Sequence, residues 1–492
     1  MGAASPARSG SKVFGWLGWA GADAIGRILL LTVSTAILSR ILSPQDFGVS
    51  ALVLTIVTVM AVFVGAPFEE ALAQRRSLRR SHVEAALAAS WAAGLVVIAL
   101  SVPLGFALAA AYARPEMAGL LPVAALTILF SGHGDITTAL ARRRRRFNDV
   151  AFANLTAHVI GLGMAVAIAF AGAGVWALIG VRLFVSIARA VLLQVKFGPL
   201  ILPRWSTQRM RELARFAGLS LIELLADNLT YLVFNNVVGA VYGLTTLGYV
   251  NMAIRLVEPV RGAVIAIAHN LAFSFFGRES RDGARLAETA ATVSTRTVYL
   301  IAPMFFGLAA VTPALVPMVA GPGWDEAIHV AAFLALGAAV GLPARMIFTS
   351  LSARARPEFG LVSSLLGFSG SLVVLFVGVP FGPIAVGVSR LAGDAVQAAF
   401  AIALPDRLAG WPRLARFWSF LRPLALAAVM GLCVAVAVRW LEAAVGDLLT
   451  LAIVVPAGAL LYLVLLRTFA RDSFDVFLAA GAPAFLRRGA NT

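Results

Sequence analysis

The 492-residue chain is 60% hydrophobic and 13% charged, with a mean hydropathy of +0.90. Soluble globular domains carry about a quarter charged residues, so that class is excluded and an integral membrane protein remains. The net charge of +16 would point to nucleic acid in a soluble chain, but here the basic residues collect in alternate loops, which is the signature of membrane orientation. The single cysteine, Cys433, excludes an intrachain disulfide and a cysteine-based metal site.

A spanning helix needs roughly 20 mostly apolar residues, and the runs of that kind predict fourteen spans, near 14–42, 47–68, 83–113, 117–141, 150–171, 175–195, 216–241, 245–272, 293–319, 328–351, 359–379, 381–404, 420–440 and 448–466. The first run continues past the length of a signal-peptide core and is expected to stay as a span. Between the first two lies the polar turn 38–48. There Ser43 is placed to cap the second helix, Pro44 suits its first position and Asp46 favours the positive end of its dipole, so that helix is expected to begin near Pro44. Several prolines, namely Pro103, Pro303, Pro313, Pro343 and Pro456, fall inside predicted spans and mark places where helices kink.

Placing the N-terminus inside makes the even-numbered gaps cytoplasmic. They hold Arg75, Arg76, Arg79 and Arg80, the run 142–146, then Lys196 with Arg204, Arg209, Arg211 and Arg215, and later Arg278, Arg281, Arg285, Arg296, Arg354, Arg356, Arg407, Arg413, Arg416 and Arg422. The opposite gaps are short and contain little that is basic beyond Arg40, Arg114 and Arg439. Both termini are therefore expected in the cytoplasm. The gaps 206–215 and 278–288 have helical spacing with one apolar side and are expected to lie along the interface as connectors.

The chain reads as duplicated. Gly48 is matched by Gly248, Asp23 by Glu223 and Arg27 by Asp227; the stretch from Gly174 to Arg182 resembles that from Gly382 to Arg390; and the basic gap at Arg142 falls where Arg354 falls later. Each half then has six spans in the same orientation, which suggests parallel repeats with a path between them. The expected division is an N-lobe at 1–200, a C-lobe at 201–405, and two appended spans with a cytoplasmic tail at 406–492.

Seven arginines lie at membrane depth: Arg27, Arg182, Arg189, Arg255, Arg261, Arg345 and Arg390. A charge at the centre of a span costs roughly 2.5–3.5 kcal/mol on insertion scales, so such residues face a cavity or a partner. One reading is a cationic lumen for phosphate, because the guanidinium fork engages phosphate oxygens two at a time and stays charged. Arg27, Arg182 and Arg390 are its main candidates, with Arg255 and Arg261 beside them. The other reading is that each arginine satisfies a buried carboxylate or reaches the surface, which is favoured for Arg189 and Arg345. Asp23 stands one turn from Arg27, Glu258 one turn from Arg255 and Arg261, and Asp394 one turn from Arg390; Asp135 is a further acid at depth. Glu223 and Asp227 share a helix face with no basic residue within a turn, a pattern suited to proton or sodium coupling, or to an arginine on a facing helix; Asp23 is grouped with them as a coupling candidate. His133, His158 and His269 are expected to be hydrogen-bonded, and Asn228, Asn235, Asn236, Asn251 and Asn270 either contact sugar hydroxyls or join helices. No phosphate-cradling Gly-Lys-Ser/Thr loop and no metal-ligand cluster is present in the sequence, so no cofactor, ATP hydrolysis or catalytic role is expected.

The stretch 40–48, Arg-Ile-Leu-Ser-Pro-Gln-Asp-Phe-Gly, followed by Ala73-Gln74-Arg75-Arg76, by 142–147 and by Gly174-Val175-Trp176-Ala177-Leu178, resembles the polysaccharide flippase (Wzx-like) family of the multidrug/oligosaccharidyl-lipid/polysaccharide exporter superfamily. The second half matches mainly at 321–324 and 351–357, and the acidic Glu69-Glu70 departs from the family pattern. The resemblance implies an all-α fold with two six-helix lobes in a V and two extra helices. It also implies a monomeric inner-membrane flippase for undecaprenyl-diphosphate-linked oligosaccharides in capsule, exopolysaccharide or O-antigen assembly, meeting membrane lipids and polymerase or export machinery, not nucleic acid. Two alternatives stay open: a cation-coupled drug exporter of the same superfamily, for which an acidic, aromatic cavity is expected, and a membrane polysaccharide polymerase or ligase, for which a long outer loop is expected.

Overall fold

The computed structural model describes residues 23, 25–64, 72, 77–197, 202–279, 283–353, 356, 358–471 and 474; at 197, over 210–211, 213–224, 226–227, 263–279, 283–290 and at 353 it describes the backbone but not the side chains. Every regular element among these residues is helical. We number them α1 (Ile25–Ser39), α2 (Pro44–Ala61), α3 (Arg80–Ala111), α4 (Met117–Arg143), α5 (Phe147–Phe170), α6 (Trp176–Phe197), α7 (Thr207–Val241), α8 (Leu244–Glu279), α9 (Gly283–Ala320), α10 (Asp325–Val340), α11 (Leu342–Ala353), α12 (Glu358–Val377), α13 (Pro383–Ala403), the single turn α14 (Asp406–Ala409), α15 (Arg413–Val445) and α16 (Asp447–Phe469). Among the described residues nine helices are long and apolar enough to cross a membrane, ten when the bent pair α10–α11 is counted as one span. Each predicted span overlaps one helix or, at 328–351, that pair.

Local chemistry sets the boundaries. Ser43 caps α2 in a reciprocal box: its hydroxyl accepts from the Asp46 backbone N–H, and the Asp46 carboxylate accepts from the Ser43 N–H at 3.0 Å, with Pro44 at the first helical position. The helix starts where the sequence reading placed it. Gly174 and Gly382, at matched places ahead of α6 and α13, both adopt positive φ (56° and 65°), a backbone that side-chain-bearing residues rarely take. The segment 206–215 is no separate connector, because α7 runs unbroken from Thr207 to Val241. The expected span 328–351 is present as a pair of helices bent by 42° at Gly341, next to Pro343, one of the prolines expected to kink a span, whose ring cannot supply a helical N–H.

The chain forms two compact units, Met1–Asn251 and Met252–Thr492, with the boundary inside α8. In the first, α4 packs against α3 and α6, α5 against α6, and α2 against α4 and α7. Because lipid offers no hydrophobic drive between helices, small residues set the close approaches. Gly161 of α5 meets Val185 and the Val181 carbonyl of α6, and Gly105 of α3 meets the Ala118 carbonyl of α4. The tightest approach lies between the repeat-matched glycines: a Cβ on Gly48 would stand 1.8 Å from the Leu244 carbonyl oxygen, and one on Gly248 1.8 Å from that of Pro44. In the second unit α9 packs against α10, α15 and α16, and α13 against α10, α11 and α12. An apolar cavity of about 490 Å³ lies in this unit, lined among others by Met304, Leu308, Val434, Val455 and Tyr462.

Candidate functional site

The charged groups at membrane depth fall into three sets. The first joins α1 to α5. Arg27 and Asp23 form the expected pair one turn apart, 3.2 Å between Nη2 and Oδ2, and Asn154 of α5 donates from Nδ2 to both Asp23 oxygens at 3.3 Å. Gly26 lets Leu155 sit against the α1 backbone beside them. Arg27 stays exposed while Asp23 is mostly covered, so the arginine head is the accessible member.

The second set joins α4 to α6. Arg189 donates from Nη1 to Asp135 Oδ1 at 2.9 Å and from Nη2 to Thr138 Oγ1 at 2.8 Å. The guanidinium passes Gly134 at van der Waals range, 3.7 Å from where a Cβ would stand. His133 Nε2 and Gln194 Oε1 lie 2.9 Å apart next to this pair. The reading that Arg189 satisfies a buried carboxylate is therefore the one seen. Arg182, on the same helix α6, is exposed.

The third set belongs to the second unit and centres on Asp394 of α13, which is 8% exposed. Its carboxylate fits into the break between α10 and α11: Oδ2 lies 2.8 Å from the place of a Cβ on Gly337, and Oδ1 3.0 Å from that on Gly341. Arg345 of α11 approaches Asp394 Oδ1 to 3.8 Å, and Arg261 and Arg390 add their charges to its surroundings. Arg261 in turn donates to Glu258 Oε1 at 2.9 Å, as its spacing predicts. Arg255 and Arg390 are half-buried.

Glu223 and Asp227 lie outside the described side chains, as do His269 and Asn270; Glu69, Glu70, Arg75 and Arg76 lie outside the described residues altogether. His158 Nδ1 stands 2.8 Å from the Asn154 carbonyl, and Asn235 donates to Thr55 Oγ1 at 2.8 Å, which is the helix-joining role rather than an open polar face. Sequence reasoning missed three arrangements. One is the Asp135–Arg189 pair, separated by 54 residues. The second is the approach of Arg345 to Asp394. The third is the contact of fully covered His82 with Glu212 at 3.1 Å, which ties the start of α3 to the start of α7. The available signal for the first two was the duplication, since α4 matches α10–α11 and α6 matches α13.

A family model described as "Polysaccharide biosynthesis protein" matches residues 37–329. The chain is 30% identical over 336 residues to the succinoglycan biosynthesis transport protein ExoT of Rhizobium meliloti (strain 1021), a match spanning 66% of each. It is 20% identical over 70% of its length, and 71% of the relative's, to an uncharacterized membrane protein in the cps region of Klebsiella pneumoniae. Among solved structures it resembles the lipid II flippase MurJ in an inward closed conformation, with a TM-score of 0.73 at 13% identity over 93% of this chain and 99% of that one. It also resembles an inward-facing multidrug resistance MATE transporter of the MOP superfamily, with a TM-score of 0.59 at 13% identity over 81% and 95%.

Proposed function

Since the chain belongs to the polysaccharide biosynthesis protein family, with the helical fold of MurJ and MATE transporters, we propose that it is an inner-membrane flippase moving undecaprenyl-diphosphate-linked oligosaccharide units by alternating access. A multi-pass membrane transporter for polysaccharide biosynthesis is the coarser statement that family and helices already carry. The observation that carries the finer one is the set of arginines held at membrane depth on different helices: Arg27 accessible beside Asp23, Arg182 exposed on α6, and Arg261 and Arg390 gathered near Asp394. Fixed guanidinium forks there suit the oxygens of a diphosphate headgroup while the isoprenoid tail stays in lipid.

In this reading the lobes comprise residues 1–200 and 201–405, with 406–492 appended, and both termini lie in the cytoplasm. Asp23, Glu223 and Asp227 are the groups through which an ion gradient would be coupled. The odd-numbered gaps, which face outward in this orientation, hold at most five residues (112–116, 171–175 and 378–382), too few to bear the catalytic loop of a polymerase or ligase.

Replacing Arg27, Arg182 or Arg390 by Gln is expected to lower surface polysaccharide at unchanged protein abundance in the membrane. Normal polysaccharide in all three single variants would remove the lumen assignment.

A further inference from the structure

Asp394 of α13 is a buried carboxyl that accepts no hydrogen bond among the described residues. Its oxygens fill the notch between α10 and α11, and the carbonyl oxygen of Gly337 borders the same notch, 3.2 Å from the place of a Cβ on Gly341. An acceptor oxygen suits a carboxyl that carries a proton and repels one that is charged. Arg345 of α11 stands at 3.8 Å, beyond hydrogen-bond length, and its buried Nε has no partner. Arg261 of α8 is paired with Glu258 at 2.9 Å, and Arg390, one turn back on α13, has contacts of its own. The titratable residues of α10 (Asp325, Glu326, His329) and of α12 (Glu358) stand two turns or more away along their helices, and Arg416 of α15 is taken up at the far end of α13. Burial without an accepted hydrogen bond opposes the charged form and a nearby guanidinium favours it, so the form adopted turns on how close Arg345 comes. The first unit shows the closed arrangement. Asp135 and Arg189 meet at 2.9 Å, Thr138 takes a second guanidinium nitrogen, and α4 runs unbroken through the pair. The matched helices of the second unit carry the pair with its charges exchanged; there the contact is open and the segment is bent by 42°.

We propose that Asp394 is a proton-binding site whose occupancy sets the angle between α10 and α11. With the proton bound, the neutral carboxyl keeps its seat beside the Gly337 carbonyl and the segment is bent. On release of the proton to water, the carboxylate leaves the notch for Arg345, one turn beyond Gly341, and the pair closes as in the first unit while the segment straightens. Straightening by the full 42° would carry Ser352, at the end of α11, through about 12 Å. Asp394 thereby joins Asp23, Glu223 and Asp227 as a group through which a gradient would act, with the proton as the ion, whatever the cargo.

The test uses the full-length protein in detergent, with Cys433 replaced by Ser and spin labels on cysteines introduced in pairs at exposed positions of the second unit, Ser352 with Ala415 and Glu326 with Ala444. Movement of either arm of the bend then changes one label separation. From acid to alkaline pH, the otherwise unaltered chain should pass from the bent to the straighter separation, and Asp394→Asn should hold the bent one throughout. Arg345→Gln removes the base that draws the carboxylate out, so the proton should be held about tenfold more tightly and the transition should move toward alkaline pH. This variant keeps the test decisive if Asp394→Asn does not fold. Infrared difference spectra between the two pH limits read the proton itself: the C=O band of a protonated carboxyl should accompany the bent form, vanish in Asp394→Asn and persist in Asp135→Asn. Separations that ignore pH in the unaltered chain, a pH response or carboxyl band that survives in Asp394→Asn, or a transition unmoved in Arg345→Gln would each overturn the proposal.

Discussion

Replacing Gly48 by Ala tests the crossing of α2 and α8. The added Cβ would stand 1.8 Å from the Leu244 oxygen and 2.7 Å from its carbon. The obstacle is backbone, so it cannot rotate away, and relief requires the two helices to part by about 1.5 Å, which forfeits much of their dispersion contact. Overpacking of this kind costs about 1–3 kcal/mol, with this case at the upper end. For a body the size of the first unit that corresponds to an apparent melting temperature lower by about 5 °C. The assay is thermal unfolding followed by loss of the monodisperse peak in detergent. Gly248→Ala should cost a similar amount, because its Cβ meets the Pro44 oxygen at the same 1.8 Å. The double variant should lose less than the sum of the two, since a separation forced by one methyl group already accommodates the other. Gly163→Ala, where nothing lies within 4 Å, is the control and should be neutral or slightly stabilising. Unchanged melting in Gly48→Ala, or strictly additive losses in the double variant, would refute the argument.

Ser43→Ala removes the hydroxyl from the capping box of α2 and should cost about 1 kcal/mol, read as a lower melting temperature; Ser43→Asn should restore most of it, and equal losses in both would deny the cap its role. Arg416 is wholly buried, and its Nη2 donates to the carbonyls of Ile402 and Leu404 at the end of α13 and to Asp406 at 3.3 Å. Arg416→Lys keeps the charge but its shorter side chain does not carry a donor to the place of Nη2, the one nitrogen that reaches all three, so membrane abundance should fall; abundance equal to the unaltered protein would show that the ammonium suffices.

The order and extent of the helices were legible because each depends on a local signal, an apolar run or a cap. The α2 start at Ser43 is the best case, since every group that fixes it lies within four residues. The break at Gly341 was legible only through Pro343, because hydropathy runs level through 328–351; that an Asp394 carboxylate from another helix fits into it was not. Arg27 and Asp23, or Arg261 and Glu258, pair as their spacing on one helix dictates. For Asp394 the same spacing rule named Arg390 and missed Arg345, because the notch that receives the carboxylate is made by two glycines on α10–α11 rather than by anything on α13. Gly48 and Gly248 were recognised as matched marks, but that they touch is a fact of packing.

The unbroken course of α7 turns the link between the repeats into a lever. Its 35 residues make a rod of about 52 Å, well over the thickness of the hydrocarbon layer. Near one end, Asn235 holds it to α2 through Thr55, and Tyr112 of α3 reaches the Asn236 carbonyl at 3.4 Å; near the other, Glu212 is engaged by His82 and by Arg209. A rod pivoting at Asn235 by 10° would carry its far end, about 42 Å away, through about 7 Å, so small changes of tilt at one membrane face become large displacements beyond the other. The buried imidazole of His82 is the catch against which such a stroke would have to work.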